Sequence, residues 1–249
     1  MTTHAHHPHK ESFTIRTYDA DQNGNVSIRA IANYFQEAAS NHARAMGFPA
    51  ERLLEQNLAW VLARLQIVIE RLPYVGESVV VVTWPSSHER HMAYRCYELI
   101  SEEGEPLARG TSAWVTVNLE SRSMSPLPEF ITTGYPQDNP PCLPFESRTL
   151  PRLKTPAKSV TLRTRKADLD INGHVNNVHY LEWATEPVCT SPDITIQYIN
   201  ISFRAECFAG KNLSSSIGQQ GEDNCLLHSI RNEDDNKELC RVRTRWNGL

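Results

Sequence analysis

Asp170, Asn172 and His174 alternate along DLDINGHVNN (168–177), and Glu206 and Cys207 stand side by side downstream in FRAECFAG (203–210). These residue types suit the hydrolysis of an activated acyl group. A carboxylate such as Glu206 can take a proton from water as a general base. His174 and Asn172 can orient that water or a carbonyl oxygen. Asp170 is expected to hold its neighbours in place and tune their charge. A helix beginning just after the string adds unsatisfied amide N–H groups and partial positive charge, which favour a developing oxyanion. Taken singly, an Asp or Asn is more often a turn or cap residue; together they form a candidate catalytic set. Cys207 supports a rival chemistry, in which a Cys–His–Asn set attacks the acyl group covalently. Glu206 and Cys207 are expected at the end of a strand, where successive residues face opposite sides. Both therefore cannot easily share one pocket, and Glu206 is the preferred of the two.

The same string raises a calcium question, because Asp-x-Asp-x-Asn-Gly also opens an EF-hand loop and occurs at both 19–24 and 168–173. Such a loop needs a bidentate Glu at its twelfth position, and Ala30 and His179 stand there instead. The flanks SFTIRTYD (12–19) and SVTLRTRKAD (159–168) alternate like strands rather than helices. No metal site and no cofactor are expected.

What must position these residues is a repeated unit. Arg16, Asp19, Asp21, Asn23, Gly24 and Val26 recur at one constant offset as Arg165, Asp168, Asp170, Asn172, Gly173 and Val175. Near the end of each copy, LARGTSAW (107–114) is echoed by LCRVRTRW (239–246). Each copy reads as a strand, an Asn-Gly turn, a helix and an antiparallel series of strands, an α+β pattern with a helix packed on a sheet. The first helix is predicted from Ser27 as N-cap to Gly47, the second over about 176–186. Strands are predicted at 58–72, 77–85, 91–101 and 107–119, then at 193–205, 212–220, 225–233 and 238–246. A segment with many prolines (125–156) reads as a connector, dividing the chain into 1–135, a linker at 136–156, and 157–249. His174 replaces Asn25 of the first copy, so the second copy is expected to carry the chemistry and the first to serve as scaffold or acyl pocket. Trp60 and Leu62 could line such a pocket, although residues of these types are more often plain core.

Composition sets the outer limits. The chain has 249 residues, 40% hydrophobic and 22% charged, as in ordinary globular proteins. A formal net charge of −4 argues against nucleic acid as partner. No apolar run approaches the roughly 20 residues of a membrane-spanning helix. MTTHAHHPHK lacks the apolar stretch of a signal peptide, and its histidines read as a flexible tail. Six scattered cysteines without a C-x-x-C pair are expected to be reduced thiols in the cytoplasm. From Ser147 to Ala167 there is no Asp or Glu, while Arg148, Arg152, Lys154, Lys158, Arg163, Arg165 and Lys166 supply positive charge. That stretch is either a solvated linker or a docking surface for an acidic partner.

RKADLDINGHVNNVHYLEW (165–183) with the downstream FRAEC (203–207) closely resembles the acyl-acyl carrier protein thioesterases of plants and bacteria. The similarity covers most of the chain. It implies two tandem hotdog domains, each a long helix wrapped by a curved antiparallel sheet. It marks Asp170, Asn172, His174 and Glu206 as the catalytic set. The activity implied is hydrolysis of fatty acyl-acyl carrier protein to free fatty acid and carrier, the arm released being the carrier's phosphopantetheine. Gly173 departs from the Gln usual in plant members, and the absence of a plastid-targeting extension fits a bacterial-type cytosolic enzyme. Hydrolysis of acyl-CoA, hydration of a thioester-linked double bond, and a non-catalytic acyl-binding hotdog protein remain alternatives, and homodimerisation is left open.

Overall fold

Turn chemistry and strand alternation place the elements close to their expected positions. The computed structural model of the protein describes residues 8–136, 139, 143–188, 191, 194–219, 221 and 224–249. His4, His6, His7, Cys142 and Cys189 lie outside the described residues. In chain order the elements are β1 (His9–Thr14), α1 (Ile28–Ala45), α2 (Ala50–Leu54), β2 (Leu58–Ile69), β3 (Ser78–His88), β4 (Met92–Ser101), β5 (Pro106–Asn118), β6 (Ser123–Ser125) and α3 (Glu129–Gly134). They continue with β7 (Lys158–Arg163), α4 (Asn177–Thr185), β8 (Thr195–Phe203), β9 (Asn212–Gln219), β10 (Cys225–Asn232) and β11 (Glu238–Asn247). His9 therefore opens a strand rather than belonging to a tail. No helix among the described residues is long and apolar enough to cross a membrane.

The chain forms two compact units, one of Met1–Ser27, Ile31–Leu65 and Glu70–Phe145, the other of Ile28–Ala30, Gln66–Ile69 and Glu146–Leu249. In the first unit the strands run in the order β1-β3-β4-β5-β2, with β6 added to β5. The apolar stripe of α1 faces this sheet, as its helical spacing requires. Phe35 stacks on Tyr97 with ring centroids 4.6 Å apart, and Tyr34 on Phe13 at 4.5 Å. The Pro-rich segment read as a connector begins at the last residue of β6 and holds α3. Pro128 directly precedes α3, a place where a missing N–H costs no helical bond. Ile131 of α3 is fully buried with Phe48, Leu53, Leu58, Ala93, Leu127 and Tyr135, and Trp60 packs against that cluster. Leu62 is buried too.

In the second unit the order is β8-β11-β10-β9-β7, every described pairing being antiparallel. Its helix falls within the expected 176–186 and is half the length of α1, nine residues against 18. Pro187 explains the stop: it has no N–H for the Trp183 carbonyl, and it disfavours helical backbone at Glu186. The sheet satisfies the carbonyls left over. Ser215 Oγ on β9 donates to the Trp183 carbonyl at 2.7 Å. His228 on β10 bonds through Nδ1 to the Ala184 carbonyl at 2.7 Å and through Nε2 to Thr244 Oγ1 at 2.7 Å. The carbonyl can only accept, so Nδ1 carries the proton and Nε2 accepts from the hydroxyl.

Burial pushes the His228 imidazole down from about 6.5 to about 4, against a smaller opposing pull from the Ala184 bond. Above pH 6.5 folded and unfolded chains are both neutral at this position. Below it the unfolded chain takes up a proton that the folded one refuses until about pH 4. Stability should therefore fall by about 1.4 kcal/mol per pH unit across that window, roughly 3 kcal/mol in all. Urea midpoints measured from pH 7 to pH 4 test this: the slope should flatten in His228→Gln relative to the wild type. Parallel slopes would rule the account out.

Candidate active site

The turn carrying Asp170, Asn172 and His174 is a closed loop rather than an extended one. Asp170 Oδ1 accepts from the amides of Asn172 at 2.8 Å and His174 at 3.2 Å. The Asp170 amide in turn donates to the His174 carbonyl at 2.7 Å. Gly173 closes the turn at φ +78°, a backbone region open to glycine at little cost. The first copy builds the same loop with the same bonds: Asp21 Oδ1 accepts from Asn23 at 2.8 Å and Asn25 at 3.1 Å, and Gly24 lies at φ +83°. Asp170 is thus a loop-holding residue in its observed contacts, a job that Asp21 performs where no histidine follows. Its carboxylate is occupied with N–H donors, as an EF-hand ligand would not be.

One residue pair anchors each loop. Asp168, almost wholly buried, receives the Arg165 amide at 2.7 Å and Arg165 Nη2 at 2.6 Å. Burial alone would raise its pKa; the bonds and charge of Arg165 prevail and hold it below the usual carboxylate range.

The loop meets the chain beyond β8. The Val175 amide donates to the Cys207 carbonyl at 2.9 Å, and this juxtaposes the two sequence-distant pieces. Glu206 and Cys207 lie past the end of the strand at Phe203, not within it. They nevertheless face opposite ways. Cys207 is 4% exposed, whereas the Glu206 side chain is 43% exposed and its Oε2 lies 3.0 Å from His174 Nε2. Phe208 flanks the same imidazole, ring centroids 5.1 Å apart. The Cys207 thiol is directed to the Phe208 carbonyl at 3.6 Å, and burial raises its pKa despite that bond. A raised thiol pKa reduces the thiolate needed for attack. Asn172 is exposed, and its side chain makes no hydrogen bond among the described residues.

The expected amide cradle at the helix start is mostly taken. Val175 donates to Cys207, the Asn176 amide donates to the Asp168 carbonyl at 2.9 Å, and Val178 donates to Asn176 Oδ1 at 3.3 Å. Asn177 is the first helical amide not so engaged.

Matching backbone bonds also register the two copies beyond the reach of the repeated string. Val26 donates to the Pro73 carbonyl as Val175 does to Cys207. Gly76 donates to Ile15 as Gly210 does to Thr164. Pro73 therefore corresponds to Cys207, and Leu72 to Glu206. Both members of the imidazole–carboxylate pair are replaced in the first copy, His174 by Asn25 and Glu206 by Leu72. In that copy Tyr74 lies over the turn, so close that a Cβ on Gly24 would approach its ring to 2.3 Å. Over Gly173 nothing lies within 4 Å. The second loop is open above its glycine and the first is lidded. Leu72 and Phe208 were not picked out by sequence reasoning; aligning ERLPYVG (70–76) with RAECFAG (204–210) on the shared glycine is the signal that finds them.

Comparison with known proteins places this geometry. Residues 6–135 match the family model of the acyl-ACP thioesterase N-terminal domain, and residues 153–248 that of the C-terminal domain. The chain is 32% identical to oleoyl-acyl carrier protein thioesterase 1 of Arabidopsis thaliana, an alignment covering 96% of this chain and 75% of that protein. It is 33% identical to palmitoyl-acyl carrier protein thioesterase of Gossypium hirsutum, with 95% of this chain and 63% of that protein covered. Among solved structures, an acyl-ACP thioesterase from Bacteroides thetaiotaomicron superposes with a TM-score of 0.87 at 26% identity, over 96% of this chain and 98% of that one. The 12:0-ACP thioesterase of Umbellularia californica gives 0.86 at 28% identity, over 96% and 97%. The loops, the repeat and these matches agree that the chain belongs to the acyl-ACP thioesterase family of thioester hydrolases, built from hotdog folds.

Proposed function

We propose that the protein hydrolyses the thioester of a fatty acyl group carried on acyl carrier protein, with Glu206 activating the water and His174 positioning Glu206. The observation that carries this reading is the exposed 3.0 Å contact between His174 Nε2 and Glu206 Oε2, formed in the copy whose counterpart has Asn25 and Leu72. A proton on His174 Nε2 fixes the carboxylate, which accepts a proton from water. The water oxygen attacks the acyl carbon, and the tetrahedral intermediate collapses with loss of the thiolate. That thiolate takes the proton held by Glu206, so acid and free thiol leave together. Asn172 is assigned to the thioester oxygen because its exposed amide has no competing bond among the described residues. Asp170 serves by keeping the loop closed. The buried, raised-pKa thiol of Cys207 favours this route over covalent catalysis.

The division into a non-catalytic copy (1–135), a connector (136–156) and a catalytic copy (157–249) is part of the same proposal. So is a reducing, cytoplasmic setting, which suits the four described cysteines, all buried thiols. Free-acid release from a panel of acyl-carrier and acyl-CoA substrates tests the activity itself; no acid from any of them would end the reading.

The cationic 147–167 stretch is assigned to reception of an acidic carrier. Added salt screens such contacts, the Debye length shrinking from about 10 Å at 0.1 M to about 3 Å at 1 M. Raising ionic strength should therefore raise KM for the carrier-linked substrate several-fold more than for a small acyl thioester. Equal responses would remove the stretch from carrier binding.

A further inference from the structure

Beside each turn the two copies share one backbone frame. Gly76 and Gly210 donate to the carbonyls of Ile15 and Thr164, and the amides of Ile15 and Thr164 donate back to Glu77 and Lys211, all at 2.9 Å. Both glycines have positive φ, +90° and +83°. Ile15 therefore corresponds to Thr164, Tyr74 to Phe208, Val75 to Ala209 and Glu77 to Lys211.

Within that frame the first copy is shut onto its turn. The Val75 amide donates to the Gly24 carbonyl at 3.0 Å and the Glu77 amide to the Tyr74 carbonyl at 3.0 Å, with the Tyr74 ring lying over Gly24. Glu77 also accepts the Tyr74 amide through its carboxylate at 2.6 Å, which Lys211 in its place cannot do. In the second copy neither backbone bond forms among the described residues. Thr164 Oγ1 instead donates to the Phe208 carbonyl at 2.8 Å and accepts from the Lys211 amide at 2.8 Å. It takes the two backbone groups whose counterparts bond each other in the first copy, where Ile15 has no hydroxyl to offer. Thr164 is 2% exposed, so water does not compete for that hydroxyl. With its carbonyl held there, the Phe208 ring lies beside His174, centroids 5.1 Å apart, and the space above Gly173 stays open.

We propose that Thr164 is a positioning residue for the hydrolysis: its hydroxyl diverts the Phe208 peptide and so keeps open, over the catalytic turn, a slot for the thioester end of the substrate. The proposal rests on the thioesterase reading above. The slot lies over the turn that carries Asn172 and His174, within reach of the residues assigned to the thioester. The first copy shows what the same backbone does without the hydroxyl. Its aromatic ring covers the turn, and a turn so covered admits no substrate.

Thr164→Val keeps the shape of the side chain and removes the hydroxyl. The Lys211 amide can then donate to the Phe208 carbonyl as Glu77 does to Tyr74, and the Phe208 ring should settle over Gly173. For an acyl-carrier thioester kcat/KM should fall about tenfold, the weight of a net hydrogen bond or two shifted to the closed form. Thr164→Ser, which retains the hydroxyl, should stay within about twofold of the wild type. Adding Lys211→Glu to Thr164→Val supplies the first copy's carboxylate and should deepen the loss. In a Phe208→Ala background no ring remains to cover the slot, so Thr164→Val/Phe208→Ala should match Phe208→Ala alone. Equal losses in both backgrounds, or no loss with Phe208 present, overturn the proposal. The proton resonances of the His174 ring read the slot without catalysis, because the Phe208 ring current displaces them. Thr164→Val should move them toward their positions in Phe208→Ala, and Thr164→Ser should leave them in place. Resonances unmoved in Thr164→Val overturn the proposal even if turnover falls. Absence of hydrolysis by the wild-type protein would sink the thioesterase reading, while the resonances would still decide whether Thr164 holds Phe208 off the turn.

Discussion

Glu206→Gln should lower kcat by about 10²- to 10⁴-fold, the range that a positioned general base supplies, while KM for the acyl thioester changes little. Gln keeps the size of Glu206 and can still meet the His174 imidazole, so the loop and the fold are spared. What disappears is the basic oxygen that takes the proton from water. Cys207→Ala is the paired control. The thiol is 4% exposed and bonded only to a neighbouring carbonyl in the described contacts, so its loss should leave most of the turnover. Steady-state kinetics on one acyl-carrier substrate decide between the carboxylate and the thiol. Retained activity in Glu206→Gln with loss in Cys207→Ala would make the thiol the nucleophile, and mass spectrometry should then trap an acyl-enzyme.

The residues legible in the sequence are those whose function is local. The Asn-Gly turn, the caps and the alternating strands depend on near neighbours, and so both loops, both helix starts and the main strands fall where spacing puts them. His174 was legible for the same reason, because Asn25 stands at its place in a string that repeats without gaps. Glu206 was only half legible. Its counterpart Leu72 shares no chemistry with it, and the intervening chain differs in length between the copies. The equivalence becomes visible only through paired backbone bonds such as Val26 to Pro73 and Val175 to Cys207. The same applies to Arg204, whose correspondence to Glu70 shows only in the bonds of Glu70 to Leu107 and Arg204 to Leu239. Prolines misled in one place, since Pro128 precedes α3 instead of breaking the chain into linker. The helix-start amides misled in another: their occupation by Cys207 and Asp168 carbonyls is tertiary, and no local pattern announces it.

His174→Asn restores at that position the residue of the first copy, and it should cost activity on the scale of Glu206→Gln, about 10²-fold or more. The first copy shows in advance that the fold accepts it. Asn25 occupies a loop with the same Asp-to-amide bonds and the same left-handed glycine, so the melting temperature should hardly move. What is lost is the contact that fixes the Glu206 carboxylate 3.0 Å from the imidazole. If the two residues act as one device, removing the second after the first costs little more, as groups that work together are strongly non-additive. The double variant His174→Asn/Glu206→Gln should therefore be within a few-fold of the worse single variant. Multiplying losses would mean that the imidazole and the carboxylate act separately. His174 would then act on the substrate in its own right, and its role of positioning Glu206 would have to be given up.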